Sequence, residues 1–469
     1  MSGSITLTKD EEMMIAVMKK FKTQEYHDFN EDLFLPAQDF ISVKENISSS
    51  SLFTFLRAMP KGASLHTHIL AATSAEYIVK ELSYMKNLYM YTWNGKLKLK
   101  FMNTSDAEKC AEDFGLCELL SDKRQVQSAK VFDKWLLDQL MITNTPEINS
   151  KSKKWTKLSG IFTTLYDMLT YRPAFEKYLK QTLQELVDDN IIYVELRGTF
   201  MELYELDGVK YDAMKSLQIM SDVISTFTTT HNETFIGARY IFAPYRKLTD
   251  EDFQDSLKLL REAHRKFPHL IAGFDLVGHE DAGGTLRQRV ELLQRVHKDI
   301  KFYFHAGETN WHGTESDQNL LDAILLGSSR IGHGLSLAKH PELMRLVRDR
   351  KIAVEVAPVS NQVLGYVNDL RAHPAVLYAR FGIPLVICND DPTAFGNTGL
   401  TFDFYEAYMA LTQVDEGPEF LKAAALNSIG HSSMNQFQKR KAYEMFEERW
   451  KIWSHGMAAI VSFFGKLSN

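Results

Sequence analysis

The feature that most constrains this chain is a recurrence: apolar, strand-like runs that end in residues able to hold a metal or move a proton. DIKFYFHAGE, Asp299 to Glu308, turns from apolar to polar at His305 and Glu308. ASLHTH at Ala63 to His68, SSRIGHG at Ser328 to Gly334, KIAVEVAPVSN at Lys351 to Asn361 and IPLVICNDDP at Ile383 to Pro392 end the same way. A run of this kind reads as a buried strand that stops where polarity begins. The fold must therefore gather the carboxyl ends of several strands.

Eight candidate strands follow from the same patterning: Ser64 to His68, Ile191 to Arg197, Phe235 to Ala243, Leu270 to Val277, Lys301 to His305, Arg330 to His333, Ile352 to Ala357 and Pro384 to Cys388. Helical patterns lie between most of them, as at Glu251 to Phe267, Leu286 to His297, Ser316 to Leu326 and Pro341 to Arg348. This alternation predicts an α/β chain folded as a (β/α)8 TIM barrel, whose chemistry sits at the carboxyl ends of the strands. A doubly wound open sheet is the alternative, but no phosphate-binding glycine fingerprint follows the first strand.

The barrel should occupy residues 59–469, interrupted by an inserted lobe at about residues 81–130, where YMYTWNGKLKLKF suggests a hairpin turning at Asn94-Gly95. Residues 1–58 read as a helical arm: Met14, Val17, Met18 and Phe21 share one face, and Pro36 ends the pattern. With 469 residues and 45% hydrophobic content, the chain can bury one large core. The balance of 54 basic against 60 acidic residues, with no long basic block, argues against a nucleic-acid partner. No apolar run has membrane-spanning length, and MSGSITLTKDEEMM lacks a signal core, so as written the chain reads as cytoplasmic with free thiols, whereas a trimmed signal would put sugar on Asn46, Asn103 or Asn232, and the compartment stays open. Three cysteines argue against a disulfide framework, while one bridge between Cys110 and Cys117 remains open.

His66 and His68, two apart on one strand, point to the same face and can reach one metal. Such a pair alone often decorates an ordinary strand. Joined by His305 and Asp390 at the same mouth, it offers three imidazoles and a carboxylate, a set suited to a zinc ion that keeps a position for water. The bland alternatives are a helix cap or solvated turn for Asp390 and Asp391, a surface carboxylate for Glu308 and a structural histidine for His333.

At these residues the chain resembles the adenosine deaminase family, in its adenosine deaminase-related growth factor branch. The resemblance rests on MPKGASLHTH, FDLVGHED, FHAGET, RIGHG, PVSNQVL and NDDP. It implies a zinc-dependent barrel, one zinc per chain, that hydrolyses the 6-amino group of a purine nucleoside, with the arm serving homodimerisation. The metal ligands it implies are His66, His68, His305 and Asp390. Glu308 would donate a proton to the purine ring, and His333 would orient and deprotonate the water. Asp391 and the backbone of Gly278 would contact substrate, and Trp155 would belong to a lid.

Two positions depart from the family pattern. Ile69 stands where an aspartate binds the sugar, and Tyr245 replaces a histidine that contacts substrate. The expectation is an apolar wall on the sugar side, with adenosine and 5′-deoxyadenosine turned over within about a hundredfold of each other. Cys110 matches one cysteine of the family lobe's disulfide, but Tyr89 to Thr92, where its partner would lie, has none. A different class of function is a growth-factor-like binding protein on the same fold, its catalysis decayed. The complete ligand set with Glu308 and His333 favours the enzyme.

Overall fold

The structure, a computed structural model, describes residues 8–26, 33–296 and 299–467, with side chains as far as Gly456. Its barrel strands are β1 Gly62–His68, β2 Ile191–Gly198, β3 Gly237–Phe242, β4 Ile271–Phe274, β5 His305–Ala306, β6 Arg330–His333, β7 Ala353–Val356 and β8 Leu385–Ile387. They form two parallel arcs, β1 to β4 and β5 to β8 in order. Bridges from Phe274 to Phe302 and from Thr67 to Asp390 join the arcs into a closed (β/α)8 barrel. Nearly every strand residue is buried, because one face meets the barrel interior and the other the surrounding helices.

The fifth strand differs from expectation in its regular part. Phe302 and Tyr303 meet β4 only through a bridge, with the Tyr303 amide donating to the Phe274 carbonyl at 2.9 Å. The two segments approach so closely that a Cβ on Gly273 would fall 2.3 Å from the Lys301 carbonyl oxygen. The helix expected from Leu286 to His297 runs Leu286–Val296, and His297 lies outside the described residues.

The arm begins with a helix at Lys9–Glu25, started by a capping box between Thr8 and Glu11. It buries Met14, Ile15, Met18 and Lys22 and leaves Val17 and Phe21 half-buried. The arm packs on its own chain, where Trp450 Nε1 donates to Glu11 Oε1 at 3.1 Å. Pro36 sits in the short 3-10 turn Leu35–Ala37.

The inserted stretch holds a hairpin of Leu88–Trp93 and Lys96–Phe101, turned through left-handed backbone at Asn94 and Gly95. A third short strand, Glu118–Leu119, pairs beside it. Helices Thr104–Phe114, Leu120–Gln127 and Ala129–Leu140 complete the segment. Cys110 and Cys117 are joined in a disulfide, with Tyr89 and Tyr91 packed against them. The expectation of free thiols thus fails for this pair, because the helix and loop of the lobe bring residues seven apart to a Cα separation of 6.0 Å. Cys388 is free and buried. Among the described residues, no helix is long and apolar enough to cross a membrane.

Candidate active site at the carboxyl ends of the barrel strands

The four residues expected to hold a metal do meet. The ligand atoms of His66, His68, His305 and Asp390 lie within 4.8 Å of one another. His66 and His68 come from β1, His305 opens β5, and Asp390 follows β8. β1 and β8 form the seam of the barrel: the Asp390 amide donates to the His66 carbonyl at 3.1 Å, and the His68 amide donates to the Asp390 carbonyl at 3.0 Å. The centre is built across that seam. Gly332 faces it rather than substrate, since a Cβ there would fall 3.3 Å from His66 Cε1.

Two carboxylates not singled out in the sequence set the imidazoles. Glu355 Oε2 lies 2.8 Å from His66 Nδ1, and Asp275 Oδ2 lies 2.6 Å from His305 Nδ1. Each holds its histidine with hydrogen on Nδ1 and the Nε2 lone pair turned to the centre. Arg197 bridges the pair, reaching Asp275 at 2.8 Å and Glu355 at 2.9 Å. Arg330 continues the chain to Glu355 at 2.5 Å and Glu195 at 2.6 Å. All these charged groups are buried, and such a network persists because every member has a partner. Burial would raise the Glu355 carboxyl, but Arg197 and Arg330 hold it well below its usual range. Asp275 is likewise lowered, burial being outweighed by His305 and Arg197.

Glu308 is placed by Glu280, whose carboxylate accepts from the Gly307 amide at 3.0 Å and the Glu308 amide at 2.7 Å. Burial first, then the charges of Asp390 and Glu280, push the Glu308 carboxyl well above its ordinary value. It is suited to be an acid at neutral pH. Asp391 is also raised well above its ordinary value by burial and by Asp390 and Glu308, and its Oδ1 is buried without a hydrogen-bond partner.

His333 is set by a relay whose direction is forced. The Ala375 amide can only donate, and it donates to His373 Nδ1 at 3.0 Å. Burial lowers His373 to about 3, so the ring is neutral and carries its hydrogen on Nε2. That nitrogen donates to Asn361 Oδ1 at 3.0 Å, and Asn361 Nδ2 donates to His333 Nδ1 at 3.0 Å. His333, lowered well below its usual value by burial, then presents Nε2–H to the centre, 3.8 Å from Glu308 Oε1 and 3.9 Å from Asp390 Oδ2. This supports the orienting part of its expected role. In this tautomer Nε2 carries the hydrogen and Nδ1 accepts from Asn361. Both His333 and Asp390 hold left-handed backbone, at φ 59 and φ 61, a strain of about 1–3 kcal/mol each that functional sites tend to store.

Above the centre opens a cavity of about 770 Å3. His68, His305, Glu308, His333, Asp390 and Asp391 lie in its wall. Trp155, from helix Lys151–Leu169, also lines it, stacked on His279 at 4.8 Å and donating to the Tyr366 hydroxyl at 3.1 Å. Gly278 and Tyr245 line it together: a Cβ on Gly278 would fall 2.3 Å from Tyr245 Cε2, so only glycine lets that ring lie there. Ile69 does not line it. The 3-10 turn Ile69–Ala71 buries that side chain to 1% exposure beside Gly198, and Leu70 faces the cavity instead. The predicted apolar wall at Ile69 is therefore corrected.

Glu280, Asp275, Glu355, Asn361 and His373 were not identified from sequence. The signal that could have found Glu355 is an acid inside the apolar run AVEV, where an unpaired charge would be costly.

The sequence profile described as adenosine deaminase matches residues 136–448. The chain is 35% identical over 461 residues to adenosine deaminase 2 of Homo sapiens, covering 96% of this chain and 89% of that one. It is 38% identical over 463 residues to an adenosine deaminase of Lutzomyia longipalpis, covering 97% and 90%. The chain belongs to the adenosine deaminase family. Among solved structures, this adenosine deaminase-family chain shares its fold with an Arabidopsis thaliana N6-methyl-AMP deaminase, at a TM-score of 0.59, 15% identity and coverage of 84% and 98%. It also shares it with a zinc-bound amidohydrolase from Burkhoderia ambifaria, at 0.58, 16% identity and coverage of 87% and 95%.

Proposed function

We propose that the protein is a zinc-dependent aminohydrolase, with one zinc per chain, that converts a 6-aminopurine nucleoside and water into the 6-oxo nucleoside and ammonia. The observation that carries this reading is the fixed orientation of the donor set. Glu355 and Asp275 occupy the Nδ1 atoms of His66 and His305, and His66 Nε2 is buried without a hydrogen-bond partner. Three imidazoles and one carboxylate, with no thiolate, suit zinc. When bound, the ion supplies Lewis acidity that makes water a nucleophile near neutral pH.

The chain's own residues supply the rest. His333 Nε2–H is placed to hold the oxygen that attacks carbon 6. The second carboxylate oxygen of Asp390, Oδ2, is placed to take the proton leaving that oxygen, and the Ser360 hydroxyl donates to it at 2.6 Å. Glu308 gives its proton to the ring nitrogen beside carbon 6. The proton held by Asp390 then passes to the amino nitrogen, the bond from carbon 6 to that nitrogen breaks to release ammonia, and the remaining hydroxyl proton returns to Glu308 as the 6-oxo group forms. Asp391, with a buried oxygen lacking a partner, is suited to bond another ring nitrogen. Sugar recognition differs from the family pattern, since among the described lining residues the carboxylates are Glu308, Asp390 and Asp391, all at the floor.

Metal analysis paired with an ultraviolet assay over a panel of adenine compounds tests this reading. About one zinc per chain and release of ammonia are expected. Zinc-loaded protein that deaminates none of the panel would overturn it.

A further inference from the structure

A second group of metal-type side chains converges on the segment that follows Glu308. His312 stands on the loop between β5 and helix Glu315–Leu325, Asp317 lies in the first turn of that helix, and His340 precedes helix Pro341–Asp349. Their ligand atoms lie within 4.8 Å of one another. His340 Nε2 is 2.9 Å from Asp317 Oδ1 and 3.0 Å from Oδ2. The His312 ring meets the His340 ring edge-on, with centroids 5.2 Å apart.

A structural hydrogen bond accounts for two of these three residues. Asp317, 1% exposed, also accepts from the Gly313 amide at 2.7 Å, so with His340 it pins the start of one helix to the turn before Pro341. That reading leaves His312 unexplained. Its side chain is exposed and makes no hydrogen bond or ion pair among the described residues, yet its ring rests against His340.

The spacing suits a shared ion. Imidazole and carboxylate ligands hold zinc at about 2.0–2.2 Å, which sets neighbouring donor atoms roughly 3–3.5 Å apart. Asp317 and His340 already stand close to that separation, and a small swing of the exposed His312 side chain completes the set. Two imidazoles and a carboxylate, with no thiolate, favour a zinc-type ion, and the open side of the site leaves a position for water. The ion would displace the hydrogen shared by His340 Nε2 and Asp317, leaving the neutral ring with its hydrogen on Nδ1.

We infer that His312, Asp317 and His340 form a second metal site, separate from the barrel centre, which takes a divalent ion of the zinc class and clamps the loop after β5. This loop continues directly from Glu308 and is already tied at two points. Asn310 Nδ2 donates to the Tyr366 carbonyl at 2.9 Å, and Lys339 Nζ donates to the Asn310 and Trp311 carbonyls at 2.6 and 3.0 Å. The ion adds a tie at His312. The site is weaker than the barrel centre, because no carboxylate or carbonyl orients the His312 ring. It therefore fills second, and the extensively dialysed chain still carries about one zinc.

Equilibrium dialysis of the full chain against rising free zinc, followed by metal analysis, tests the inference. Wild type should pass from about one to about two zinc per chain, whereas His312→Gln and His340→Gln should each stay at about one. His312→Gln changes an exposed side chain, so its fold and its turnover with the first zinc should match wild type. Thermal unfolding gives an independent reading: excess zinc should raise the Tm of wild type above that of its one-zinc form, and should leave the Tm of His312→Gln unchanged. Saturation of wild type at one zinc, or uptake of a second zinc by either variant, overturns the inference and leaves the aminohydrolase reading untouched. A dialysed chain that holds no zinc, but gains one in excess zinc that His312→Gln does not, supports this site and strikes the barrel centre instead.

Discussion

The floor and the outer wall of the cavity are built on opposite principles. Beneath the floor, the charged groups that set the metal ligands lean on one another: Glu355 touches His66, Arg197 and Arg330, and Asp275 touches His305 and Arg197. On the cavity's other lining, Lys96 and Lys247 have no ion-pair partner among the described residues, and Tyr245 is 42% exposed. A buried, mutually paired floor tolerates little change, because removing one charge strands the next. Side chains on the lobe and loops can be exchanged at small cost in stability.

Substitutions can break that contrast or sharpen it. The largest effect belongs to His305→Ala, which removes an imidazole from the centre and should abolish both zinc retention and turnover; full zinc in that variant, by metal analysis, would refute the ligand set. Glu308→Gln should keep zinc and fold while lowering kcat by roughly 10²–10⁴, the usual worth of a general acid. A wild-type rate there would remove Glu308 from the chemistry. Asp275→Asn leaves all four ligands in place but loosens His305, and should weaken zinc affinity by roughly 10–100-fold, read by competition with a chelator. Unchanged affinity would mean that the floor is less interdependent than its contacts imply.

The smallest effect is expected at Ile69, outside both regions. Ile69→Val should cost about 0.5–1.5 kcal/mol in denaturant unfolding, as for a buried methylene. The ratio of kcat/KM for adenosine and 5′-deoxyadenosine should stay at its wild-type value. A changed ratio would return Ile69 to the cavity wall.

The barrel and its ligands were legible because period-two burial and terminal polarity are local properties. His66, His68, His305 and Asp390 each end a run that reads as a strand on its own. Asp275 and Glu355 do not end their runs, and although an acid inside AVEV marks Glu355 as needing a partner, what each does depends on which strand lies beside its own. The relay from Ala375 through His373 and Asn361 to His333 joins a loop to a strand end, and its direction depends on a single backbone amide. Ile69 was misplaced because the strand's alternation stops at His68 and a 3-10 turn begins. Cys117 was matched by proximity in a folded lobe, where its sequence spacing left the bridge undecided.

The barrel's seam also bears on how the chain is made. His66 and His68 are synthesised early, whereas Asp390 comes late: the contact from Thr67 to Asn389 at this seam spans 322 positions. Domains emerge from the ribosome amino end first, so the nascent chain holds two ligands long before it has the other two. The metal proposed for this centre would find its full ligand set only after the last strand has docked beside the first, and by mass action would then favour the docked form. The proposed ion would thus act on assembly as a late lock, holding shut a ring whose two ends the polypeptide must bring together unaided.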